Sequence, residues 1–278
     1  MCASLLFVAA LAGQAKAAPD PALGPLATFR AMEVEDIDRQ VREQHDAVLE
    51  QRARRASAER FAHRGSLSPA GLRDEETDLR YMEAREAELI ALRAVSVYER
   101  DVLRGDLAPD PARVRALLLD LLGKQEKTAG IELDAARTKF ETFAGLDYRY
   151  HRHGVERSNA EQATARAESN LLLIRLRKAK LELEAARVPG ATPADPEKLK
   201  ALEVAYLKAE VRFDEMQEAG TRYSLEGARS RHRTGLITDK ELSAVERAHD
   251  AAAVNLATAR KQLAALEPAP RPTAVGRR

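Results

Sequence analysis

The sequence predicts an all-α protein of three long antiparallel helical hairpins, six helices with coiled-coil-like packing. Three observations carry this expectation. Ala, Leu, Glu, Arg and Lys dominate a 278-residue chain with 32% charged and 4% aromatic side chains and no tryptophan, which is the composition of long helices. Apolar residues recur at alternating spacings of three and four over long stretches, the period of a coiled-coil seam. Strand signals are missing: there are no alternating β-branched runs and no Asn-Gly or Asp-Gly turns. With so few aromatics, burial must come from narrow seams between helices, which favours a long, thin shape.

The first stretch, MCASLLFVAALAGQAKAAPD, reads as a signal peptide over residues 1–17 followed by a linker over 18–27. An apolar run from Ala3 to Ala12 precedes Ala15-Lys16-Ala17, an A-x-A site with cleavage expected between Ala17 and Ala18. No Lys or Arg precedes the run, so the amino group alone supplies its leading charge. The run is too short for a membrane span, which needs about 20 apolar residues. Export to the periplasm or outside the cell is therefore the expectation. Cys2 is the only cysteine and leaves with the leader, so neither disulfides nor thiol chemistry is expected of the mature chain. Its departure with Lys16 leaves 44 basic and 44 acidic residues, a balance that argues against nucleic acid as a partner.

Hairpin 1 is expected over 28–104, with seams Val34, Ile37, Val41, Val48 before its turn and Leu72, Leu79, Met82, Leu89 after it. Its turn lies in ERFAHRGSLSPAGL, where Gly65 suits a helix stop needing positive φ and Ser68-Pro69 suits a helix start. The proline-rich break RGDLAPDP leads into hairpin 2 over 105–188, with Asp110 as N-cap and Pro111 at the first helical position. Its first arm carries Leu122, Glu126, Ala129, Leu133, Ala136, Phe140 and Phe143. Its turn is placed at YRYHRHGVERSNAEQ, with Gly154 as the stop and Ser158-x-x-Glu161 as a capping box. The second arm carries two stripes, Leu171/Ile174/Leu181/Ala185 and Leu172/Leu176/Ala179/Leu183, so it should touch two neighbours or support self-association.

Hairpin 3 is expected over 189–266, after the break VPGATPADP and with Asp195 as N-cap. Its first arm reads Leu199, Leu202, Tyr206, Ala209, Phe213, Met216, Gly220, Tyr223, Gly227. Its second arm reads Leu242, Val245, His249, Ala252, Leu256, Ala259, Leu263, Leu266. Between them, RSRHRTGLITDKEL stops one helix at Gly235 and starts the next with Thr238-x-x-Glu241. Gly65, Gly154 and Gly235 recur at spacings of 89 and 81, a degenerate repeat. Alternation would place these three turns at one end. Residues 267–278 read as a disordered basic tail.

Candidate site residues gather at the turns. Arg64, then Arg152 and His153, then Arg229, Arg231, His232 and Arg233 precede the three glycines. Cations there offset the helix macrodipole and reach the last free carbonyls; the same cations could form a basic, pH-sensitive surface for an acidic partner. His151 and His153 lack metal-ligand spacing, and no phosphate loop, dinucleotide fingerprint or nucleophile elbow occurs. His249 falls at a seam position and reads as a register-setting polar residue rather than a catalyst. The acidic runs MEVEDID and RDEETD read as solvated faces. The residues thus point to a non-enzymatic protein, without cofactor or metal, acting by protein–protein contact.

The stretch ARSRHRTGLITDKELSAVERAHDAAAVNLATARKQLAAL resembles the hairpin tips of TolC-type outer-membrane efflux proteins. It is also similar to the periplasmic hairpin of membrane-fusion adaptors, through Ile237, Thr238 and Glu241. The resemblance covers about 40 residues and implies that Arg229, Gly235 and Thr238 contact an efflux or secretion component. The membrane strands of the channels and the lipoyl-like and barrel parts of the adaptors have no counterpart in the sequence. A structural spacer or oligomeric scaffold with no tip-specific partner is the alternative expectation.

Overall fold

The computed structural model describes residues 24–144, 151–186 and 195–266. They form six helices and no strand: α1 (Gly24–His63), α2 (Pro69–Leu103), α3 (Pro111–Ala144), α4 (His151–Ala186), α5 (Pro196–Arg233) and α6 (Asp239–Leu266). Consecutive helices pair antiparallel as three hairpins, α1·α2, α3·α4 and α5·α6. Helix α1 begins four residues before its expected start. The expected leader, most of the linker and the basic tail lie outside the described residues. No described helix is long and apolar enough to cross a membrane.

The chain divides into two compact units. The first holds α1, α2, the first part of α3 and the end of α4; the second holds the end of α3, most of α4, α5 and α6. The two proline breaks begin helices as expected. Asp110 Oδ1 accepts the backbone N–H of Ala112 at 2.9 Å, and Asp195 Oδ1 accepts that of Glu197 at 2.9 Å.

In the first unit, α1 turns one face to α2 through Val34, Ile37, Val41, Gln44, Val48, Gln51, Arg55, Ala58 and Ala62, all buried or half-buried. The 3-4 period therefore runs unbroken along the helix, although three of its members are polar. Each polar member has a partner across the seam. Gln44 donates to the Met82 carbonyl at 3.0 Å, Gln51 to Glu75 Oε2 at 2.7 Å, and Arg55 meets Glu76 at 3.3 Å. Gln51 is only 3% exposed, so its amide fixes the register of the pair, as polar seam residues do in coiled coils. Ala91 and Val95 of α2 bury against Leu121 of α3. The turn between these helices is pinned by Tyr98, whose hydroxyl accepts the Asp110 N–H at 2.7 Å while Arg113 lies 5.2 Å over its ring.

Helices α3 and α4 are joined by Lys178–Glu126 at 3.1 Å in the first unit and Arg137–Glu168 at 3.7 Å in the second. Both described stripes of α4 are covered: Leu171 and Ile174 are buried, Leu181 is half-buried, and Leu176 is buried between half-buried Leu172, Ala179 and Leu183. Arg212 of α5 reaches Glu161 and Glu168 of α4 at 3.7 and 3.9 Å. Every expected seam residue of α6 is buried or half-buried, from Leu242 to Leu266. His249 in that seam reaches Glu218 of α5 at 3.4 Å, which fits a polar register residue.

Two expectations fail. The seam of α5 departs from its expected course near the tip: Gly220 and Gly227 are exposed, Tyr223 is 80% exposed, and Leu225 and Ala228 are buried instead. Lower in α5, nearly every residue of 202–217 is buried or half-buried, so the phase is ambiguous there. Gly154 is not a helix stop, because α4 begins at His151 and runs through it. Glycine inside a helix costs only about 1 kcal/mol relative to alanine, which a long packed helix absorbs. Helix α3 ends at Ala144, and Gly145 follows it in the sequence. Ser158 and Glu161 accordingly sit inside α4 and do not cap its start; Glu161 serves the contact to Arg212.

Candidate functional site: the hairpin tips

Two tips are described. At tip 1, Gly65 has φ 71°, its N–H reaches the Ala62 carbonyl at 2.9 Å, and the Ser66 N–H reaches the Phe61 carbonyl at 2.9 Å. At tip 3, Gly235 has φ 72°, with the same pair of bonds to His232 and Arg231, both 2.9 Å. These are Schellman stops, which satisfy the last helical carbonyls and require a left-handed residue. A third lies at Gly105, φ 80°, where the Asp106 N–H meets the Asp101 carbonyl at 2.9 Å. Sequence reasoning read that break through its prolines and passed over its glycine.

The helix starts are built as expected. Ser68 Oγ accepts the Gly71 N–H at 3.1 Å, with Pro69 at the first helical position. Thr238 Oγ1 accepts the Glu241 N–H at 3.3 Å, and Glu241 Oε2 accepts the Thr238 N–H at 2.7 Å. The Thr238 N–H, then its hydroxyl, holds the Glu241 carboxyl below the usual carboxylate range. Tip 3 is thus closed on both sides of its turn.

Its cations have structural duties. Arg231 donates to the Gly227 carbonyl and Arg233 to the Arg229 carbonyl, each at 3.4 Å. Arg229 pairs with Glu246 at 3.4 Å and His232 with Asp239 at 2.6 Å, both across the turn. At tip 1, Arg60 donates to the Ala56 carbonyl at 3.3 Å, and Arg64 precedes the glycine stop. Arg152 and His153 fall in the first turn of α4, and their side chains lie outside the described residues. Tips 1 and 3 belong to different units.

One residue that sequence reasoning passed over stands out. Leu236 at the apex of tip 3 is 73% exposed. Tip 1 makes the same turn with Ser66 in that place. The available signal was this contrast, since folding the turn does not require leucine there. Its neighbour Ile237 is half-buried and points the other way in burial.

Among the described residues, no cluster of three or more His, Cys, Asp or Glu could hold a metal ion, and no buried side-chain polar atom lacks a partner. No family model, curated protein or solved structure matches this chain.

The two kinds of glycine should respond oppositely to alanine. Gly235→Ala places a Cβ at positive φ and should lose about 1–2 kcal/mol. Gly220→Ala, at an exposed helical position with open space around a new Cβ, should gain up to about 1 kcal/mol. Urea unfolding of both variants measures the contrast.

Proposed function

We propose that this chain is an exported, non-enzymatic hairpin protein of the bacterial envelope that works by protein–protein contact through tip 3. The observation that carries this reading is Leu236, 73% exposed on a turn locked by a Schellman stop and a capping box. A leucine held outward on a rigid turn offers apolar area to a partner at little ordering cost. Around it stand Arg231, Arg233 and Lys240, all exposed, which would favour an acidic rim on that partner. The A-x-A leader supports export, and the likeness of RTGLITDKE to TolC-type and adaptor tips supports an efflux or secretion component as the partner.

The test is copurification of partners from envelope fractions with Leu236→Ser and with Arg231→Glu/Arg233→Glu. Arg229 is kept, because its reversal would also break the pair with Glu246. Leu236→Ser should keep the parent's unfolding midpoint. Arg231→Glu/Arg233→Glu should lower it with the loss of two carbonyl bonds and two C-terminal cations, while staying folded. Each should lose the partner at least tenfold, about 1.4 kcal/mol. Capture at the parental level by both would sink the reading.

A second reading has its own support. Arg60, Arg231 and Arg233 donate to carbonyls of the preceding turn, and Arg229 and His232 are paired with acids. Those contacts suit a plain coiled-coil spacer or oligomeric scaffold whose tips bind nothing.

A further inference from the structure

Near the start of α1, one arginine serves two glutamates. Arg30 Nη2 lies 3.1 Å from Glu99 Oε2 of α2, and its Nη1 bonds Glu33 one turn along α1. Glu99 is 3% exposed, whereas the Glu33 side chain is 27% exposed and the Arg30 side chain 13%. The buried carboxylate therefore depends on a cation that is already shared with a wetter rival. The ionised triad carries one net negative charge, and Glu99 sits where charge is poorly solvated.

We propose that Arg30, Glu33 and Glu99 form a proton-dependent latch between α1 and α2: taking up one proton fastens the first turns of α1, and releasing it loosens them. With the proton on Glu99, Arg30 and Glu33 remain as a neutral pair. The carbonyl oxygen of the protonated carboxyl still accepts from Arg30. The charged groups facing Glu99 are accounted for on each helix packed here. From α1 they are Arg30 and Glu33. On α2, Arg100 is held by Asp101 at 2.7 Å. From α3, Arg113 lies over the Tyr98 ring.

The electrostatics agree with the geometry. Burial pushes the Glu99 carboxyl above the usual range, Arg30 opposes this, and Glu33 adds to it. A folded state that holds its proton to higher pH than the unfolded chain binds more protons across that window. Stability from this group is thus full below the ordinary carboxylate pKa of about 4.3 and falls as pH rises through the folded value. The loss is local, because the triad ties only one end of α1 to α2.

The test is amide hydrogen exchange of the full chain between about pH 5 and about pH 8, corrected for intrinsic rates, reading the first four turns of α1. The parent should lose protection there as pH rises, while Glu99→Gln should show a flat profile. Glu33→Gln removes the rival carboxylate and frees Arg30 for Glu99, so the loss should be smaller and complete at lower pH. This second variant keeps the triad's buried acid and serves if Glu99→Gln does not fold. Parallel profiles in the parent and Glu99→Gln would overturn the latch. So would a Glu33→Gln profile superimposable on the parent's.

Discussion

Arg30→Met will destabilise the chain by about 3–5 kcal/mol near neutral pH, and most of that loss will return on acidification. The substitution keeps the length of the side chain but removes the one cation that the described residues pair with Glu99, which is 3% exposed. A buried carboxylate without a partner must either stay charged at high cost or take up a proton. Glu33 then repels it and has lost its own partner. On acidification protonation relieves the strain, and the variant should approach the parent. Chemical unfolding at two pH values measures both numbers. A loss that is equal at the two values would assign Arg30 a packing role only.

The second large effect lies in α4. Ile174→Ala and Leu176→Ala will each lose about 2–4 kcal/mol, because both side chains are at least nine-tenths buried and each leaves a cavity. They sit two residues apart and so face different neighbours, one on each stripe. Ile90→Ala is the matched control: the same kind of side chain is removed, but from a position 51% exposed. It should change stability by about 0.5 kcal/mol or less. If only one of the two α4 variants is destabilised, that helix rests on one neighbour rather than two.

The seams of α4 and α6 were legible in the sequence because large apolar residues occupy them and charged residues fill the positions between. In α6 the period from Leu242 to Leu266 has one polar member, His249, and the structure buries or half-buries every one. The seam of α1 was only half legible. Gln44, Gln51 and Arg55 continue its period, and nothing in their side chains announces the partners that satisfy them across the pair. In α5 the expected course failed beyond Met216, since tyrosine and glycine fit an apolar seam and an exposed face equally well. Only the position of α6 against Leu225 and Ala228 decides between them.

The turns divide in the same way. Gly65 and Gly235 were readable because each is followed within three residues by a serine or threonine that starts a helix. Gly154 is followed by Ser158 four residues on, one later than in that pattern, and is helical, so a nearby glycine and serine are permissive rather than decisive. What differs is tertiary: beyond its first turn α4 meets α3 through Arg157, 6.0 Å over the Phe140 ring, and α5 through Glu161, 3.7 Å from Arg212. The basic residues before the glycines were legible as a cluster. Their reach back to helix carbonyls was expected too, and the bonds of Arg231 and Arg233 shift the weight of tip 3 from its arginines to Leu236.

The most direct test of tip contact is site-specific photo-crosslinking in growing cells, with the reactive residue placed at Leu236 and, as control, at Ser66. The two positions occupy equivalent places in the same turn, so any difference reports chemistry rather than geometry. Tip 3 as a contact surface predicts a discrete protein adduct from position 236 that disappears with Arg231→Glu/Arg233→Glu, and none from position 66. Equal labelling from both positions, or none from either, would contradict it and leave the chain a spacer.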